Sequence, residues 1–157
     1  MVKTMSQGEP SEQRQPGVSL SAVIRDSEGL LVVAEVEFTP GCSSVLLAEA
    51  AAIILGLQLA IRWSISRAKV CSDSHTIIHA IQQVSPNFTE WGQLVQKAIH
   101  MRDSFQCLEF VFATRQCNNV ANSLAKWSRL AQKSAIWTDC LPICAAANLL
   151  ADKPSKW

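Results

Sequence analysis

The stretch SVLLAEAAAIILGLQLAIRWS, residues 44–64, decides the fold. Its Ala and Leu content predicts a helix. The segment is apolar almost all the way round, which predicts a central, buried one. One carboxylate, Glu49, interrupts its first half, and Leu46, Ile53 and Gly56 share its face at i−3, i+4 and i+7. A lone inward carboxylate is costly unless it is paired, hydrogen-bonded or beside a metal. The apolar run is shorter than the ~20 residues a membrane span needs and is broken by Glu49 and Gln58, so it reads as a core helix.

Working outward, VSLSAVIRD (18–26) and LLVVAEVEF (30–38) are β-rich runs separated by Ser27-Glu28-Gly29, which predicts a hairpin. Residues 1–16 are polar, without periodicity, and read as disordered. After the helix come a short strand, 67–71, and the triplet Ser72-Asp73-Ser74, where Asp73 or Ser74 caps a helix over 75–83. A second helix is predicted over 89–103, a strand over 107–114, a loop RQCNN and a last helix over 120–133. The order β-β-α-β-α-α-β-α predicts an α/β mixed sheet flanked by helices. The domain is expected over 17–135, and 136–157 reads as a C-terminal extension with a loop and a short helix.

With 157 residues and 48% hydrophobic content the chain is one globular domain. A net charge of +1 gives no bulk signal for nucleic acid or membrane. Placement says more: between Glu109 and Asp139 there is no acid, while Arg115, Lys126, Arg129 and Lys133 fall there. On its own this modest patch is an ordinary solvated helix face. The six cysteines form no CxxC pair or zinc pattern. A polar start without a secretory signal, together with the scattered cysteines, points to a reducing, intracellular compartment, nucleus or cytoplasm.

Glu49 on the helix and Asp73 at a strand end are the residues with chemical potential. Two carboxylates sharing a site repel, and a hard divalent cation is the usual remedy. Spacing alone leaves Asp73 at least as good a helix cap as a ligand. His75 and His79, at i and i+4, have no third ligand spaced near them and read as a solvent-facing pair.

Four segments carry a resemblance: GVSLSAVIRDSEGLLVVA, LLAEAAAIILGLQLA, VCSDSHTIIHAIQ and RQCNNVANSLAKWS. In this order, over residues 17–150, the chain resembles the ribonuclease H-like domains of plants, the reverse-transcriptase-like type found alone or at the end of retroelement polyproteins. The resemblance implies a five-stranded mixed sheet and hydrolysis of the RNA strand of an RNA–DNA hybrid. It also implies four acidic residues holding two Mg²⁺ (or Mn²⁺) ions ~3.5–4 Å apart. Duplex shape and 2′-hydroxyls, rather than sequence, are then what is read.

Carried over residue by residue, Glu49 matches the family's helix glutamate and Asp73 its strand-end aspartate. Asn122 stands where the family has an aspartate, Arg115 matches the loop residue before it, and Arg115, Asn118, Lys126 and Arg129 are the implied nucleic-acid contacts. The family's first-strand aspartate has no counterpart, since SEQRQPGV occupies the place just before AVIRDSEG. The first strand is therefore expected to be missing, as in a truncated or degenerate copy, with a gap or exposed edge at mid-sheet. Two of four carboxylates would leave the site at roughly −2 rather than −4, and metal affinity depends strongly on ligand charge. The expectation is an impaired hybrid endonuclease. The alternatives are a catalytically dead module that grips an RNA–DNA hybrid or an RNA-like duplex, or a protein-interaction remnant.

Overall fold

The computed structural model describes residues 1–7, 15–84 and 88–151. Six strands form one sheet in the order β5-β4-β1-β2-β3-β6. They are β1 (Val2–Gln7), β2 (Gly17–Arg25), β3 (Leu31–Pro40), β4 (Arg67–Ser72), β5 (Cys107–Phe112) and β6 (Ala135–Trp137). The helices are α1 (Val45–Arg62), α2 (His75–Gln83), α3 (Glu90–His100), α4 (Asn119–Ala131) and α5 (Ile143–Ala151). Single 3₁₀ turns, Met101–Ser104 and Arg115–Asn118, precede β5 and α4 respectively.

The expected mid-sheet gap does not exist. VKTMSQ forms β1, antiparallel to β2 and parallel to β4, so the segment expected to be disordered holds the centre of the sheet. Its composition is a weak strand signal. What fixes it is the partner backbone on both sides, since a strand between two others satisfies every main-chain donor and acceptor. The rest of the segment expected to be disordered, 8–14, lies outside the described residues.

The hairpin forms as predicted. Asp26 Oδ1 accepts the N–H groups of Glu28 and Leu30, both at 2.9 Å, and Gly29 supplies a φ of +83° that a side chain would resist. Residues in β2 alternate between the two faces of the sheet. Ala22 and Ile24 enter the core built by α1, α2 and α3, while Val23 enters a second core with α4 and α5. Along the α4 side of β2 the chain uses serine: Ser19 and Ser21 are fully buried, and Ser21 Oγ donates to Ala121 O at 2.7 Å. Small side chains there bring α4 close to the strand.

α1 is central and buried, as its sequence dictates, with Ser44 Oγ accepting from Leu47 N at 3.2 Å as its cap. Arg62 in its last turn pairs with Glu35 of β3, which gives that inward-facing acid its counter-charge. The described part of the C-terminal extension, 136–151, packs with the domain. β6 pairs with β3, and the expected boundary at 135/136 falls inside it. α5 packs on α4, joined by Asn148 Nδ2 donating to Ser123 Oγ at 2.7 Å. Buried Arg25 reaches Leu149 O at the end of α5.

Candidate functional site

β4 and β5 run parallel and end together, with Ser72 registered on Phe112 and Ala113 N donating to Ser72 O at 2.9 Å. Asp73 follows Ser72 directly at this end of the sheet. The cap of α2 is Ser74, so the carboxylate of Asp73 is not spent on capping. It accepts a hydrogen bond from the Asn118 side chain, and the Arg115 charge acts on it. Both partners sit on the 3₁₀ turn that leads into α4. Asn122 lies one helical turn beyond Asn118, on the same face.

Burial pushes the Asp73 carboxyl above its ordinary value of 3.8, while its own backbone N–H, Arg115 and Asn118 pull the other way. The folded state therefore holds this proton to a higher pH than the unfolded chain does. The stability so conferred is full below the ordinary value and is lost as pH rises through the raised one. Asp73→Asn keeps an acceptor for Asn118 and removes the cost of ionisation. It is expected to raise stability at neutral pH by about 1 kcal/mol at most, since solvent screens the group, and to flatten stability against pH in that window. Thermal melts of both proteins from pH 3 to 8, a range that spans the ordinary carboxylate value, check this. Equal melting curves throughout would refute the burial argument.

Glu49 is also buried, 7% exposed, on α1, which covers the other face of β1 and β2 from α4. The structure thus clusters Asp73, Arg115 and Asn118, with Asn122 beside them by helical spacing, while Glu49 lies on α1 in the opposite layer. The side chain of Asn118 is 1% exposed. It acts on Asp73 from the turn that leads into α4. Sequence alone does not separate a buried amide from a displayed one in RQCNN. Arg115 and Lys126 are exposed and Arg129 is half-buried. Lys126 and Arg129 lie at i+4 and i+7 from Asn122, so a basic stripe leads away from the Asp73 cluster along α4. Neither has an ion-pair partner among the described residues.

Does this donor set fit two Mg²⁺ ions? Asp73 Oδ1 and Asn122 Oδ1 are buried and lack hydrogen-bond partners among the described residues, a vacancy a hard cation favours. The charge does not follow. β1 contributes no Asp or Glu, and α4 contributes an amide at Asn122. Among the described residues no three His, Cys, Asp or Glu side chains gather into a metal site. In register, Thr4 pairs with Ser72, so the next residues along these parallel strands are Met5 and Asp73. The β1 residue one step past that last pair is therefore a methionine. A net charge of about −2 with Arg115 alongside does not fit a two-ion centre.

The model of the reverse transcriptase-like family matches residues 6–128 of this chain. No curated protein sequence matches it. Among solved structures, ribonuclease H1 from the halophilic archaeon Halobacterium salinarum superposes with a TM-score of 0.69 at 17% identity, over 84% of this chain and 98% of that one. The N-terminal RNase H domain of a Mycobacterium tuberculosis protein gives 0.69 at 18% identity, over 83% and 94%. LC11-RNase H1, solved in complex with an RNA/DNA hybrid, gives 0.69 at 17% identity, over 84% and 99%. The fold is that of ribonuclease H, with β1 in place.

Proposed function

This chain belongs to the reverse transcriptase-like family, and from that premise we propose that it binds RNA–DNA hybrid duplexes while hydrolysing them weakly or not at all. One observation carries the reading: β1 holds no acid and Asn122 is neutral, while Asp73 is served by Asn118 and Arg115. A two-metal phosphodiester hydrolysis needs anionic ligands that neutralise and place the ions. Glu49 and Asp73 alone supply half of that charge.

Binding asks less of the site. Phosphates are gripped by Arg and Lys without sequence information, and an RNA-containing duplex is told from DNA by its shape and 2′-hydroxyls. Arg115, Lys126 and Arg129 form the gripping surface, running from the strand ends along α4. The hybrid in the LC11-RNase H1 complex supports the choice of duplex class.

The test uses a labelled RNA–DNA hybrid. With Mg²⁺ or Mn²⁺ present, no cleavage product is expected. Product that disappears in Glu49→Ala and Asp73→Ala would overturn the proposed inactivity. Binding measured at several salt concentrations is expected to give log K falling with log salt at a slope of about −3, near 0.9 per phosphate contacted. A slope near zero rejects the nucleic-acid reading and leaves a protein-interaction module.

A further inference from the structure

We propose that His79, His75 and Phe112 form a stacking platform for an unpaired nucleobase, placed beside Asp73 at the margin of the duplex-binding surface. The proposal rests on the duplex-binding reading above for its occupant.

The three rings are contiguous. The imidazoles of His75 and His79 lie parallel, with 6.0 Å between centroids and 9° between planes. His75 meets the Phe112 ring edge-on, at 5.5 Å and 72°. Both histidines are exposed, and Phe112 is 44% exposed. Single apolar side chains in solvent are common and need no explanation. Three adjoining rings, continuous from a strand end to a helix, make an exposed aromatic surface in which Phe112 braces His75 edge-on, and bases stack on exposed rings whatever their sequence.

Their position ties this surface to the site. His75 is two residues from Asp73, and Phe112 is registered on Ser72, the residue before it. Two elements hold the rings in place. Gln82 Nε2 donates to Phe110 O at 2.9 Å, fixing α2 to the last residues of β5. The inward face of α2, through Ile77, Ile78 and Ile81, is buried in the core and leaves the histidines outward. A metal ion is the other ligand an i, i+4 histidine pair suits, yet no third His, Cys, Asp or Glu joins them among the described residues.

The occupant is a nucleobase rather than an apolar peptide because Phe112 lies three residues before the exposed Arg115, so the surface continues the proposed duplex footprint. A duplex bound along Arg115, Lys126 and Arg129 would lay its terminal or displaced nucleotide over these rings. Only an unpaired base offers its face to them.

The experiment compares affinities of the intact chain for a blunt hybrid, a hybrid with a short single-stranded overhang, and a hybrid with the same overhang lacking its bases. The base-bearing overhang is expected to bind about 5- to 100-fold tighter than the blunt hybrid, the range one stacked base supplies. The abasic overhang, with equal phosphates, is expected to match the blunt hybrid. The His75→Ala/His79→Ala protein should lose the advantage while binding the blunt hybrid unchanged, and His79→Trp should keep it. Equal affinity for base-bearing and abasic overhangs, or an advantage that survives the double substitution, overturns the platform. Should the blunt hybrid not bind at all, the duplex reading fails separately. A single-stranded oligonucleotide carrying 2-aminopurine then decides: quenching lost in the double variant upholds the platform, and absence of quenching overturns it.

Discussion

Replacing Met5 and Asn122 together with aspartate is expected to give this chain a divalent-metal site and cleavage of an RNA–DNA hybrid well above that of the parent. Met5 is the residue after the last β1–β4 pair, Thr4 with Ser72, and Asn122 lies in the first turn of α4 with an unpartnered buried oxygen. The double variant restores the four-acid pattern of the family around Glu49 and Asp73. Without metal it is expected to be less stable than the parent, because carboxylates crowded beside Asp73 repel one another. Mn²⁺ at a hundred times its dissociation constant is expected to add about 2.7 kcal/mol, read as a rise in Tm. Either single variant leaves three acids and is expected to show little of this gain. A folded double variant whose Tm ignores Mn²⁺ and which yields no product would show that β1 does not align the site as its register implies.

The second large effect concerns binding. Changing Arg115, Lys126 and Arg129 together to alanine is expected to lower hybrid affinity by about two to three orders of magnitude at low salt, since each phosphate contact releases its counterions. The salt slope should fall from about −3 towards zero. All three side chains reach solvent, so fold stability is expected to stay within about 0.5 kcal/mol for each, checked by thermal melts. Affinity that survives the triple change would place the duplex elsewhere on the molecule.

Much of the architecture was legible because its signals are local. The β2–β3 hairpin announces itself by alternation and by Asp26-Ser27-Glu28-Gly29, and α1 by its continuous apolar run. Glu49 and Asp73 stand out as acids at a buried helix face and a strand end. β1 did not announce itself, because VKTMSQ becomes a strand through its neighbours rather than through its own residues. β6 has only three residues, too few to show a period. The partnership of Asn118 with Asp73 joins residues 45 positions apart, and no local pattern encodes it. The serines of β2 read as ordinary alternation, yet their small size sets the approach of α4.

β1 also sets the order in which the molecule is completed. It is translated before the hairpin, yet its parallel partner, β4, comes after α1, and Val2 pairs with Val70. Until α1 and β4 have been made and docked, the two halves of the sheet have no seam between them, and the free edges of β2 and β4 stay open. Contacts this distant in sequence pay their loop entropy before they are rewarded, so closure of the sheet is expected to come late in folding. During that interval the exposed edges invite pairing with other chains. The same central strand that completes the fold thus also closes the two edges most open to pairing with other chains.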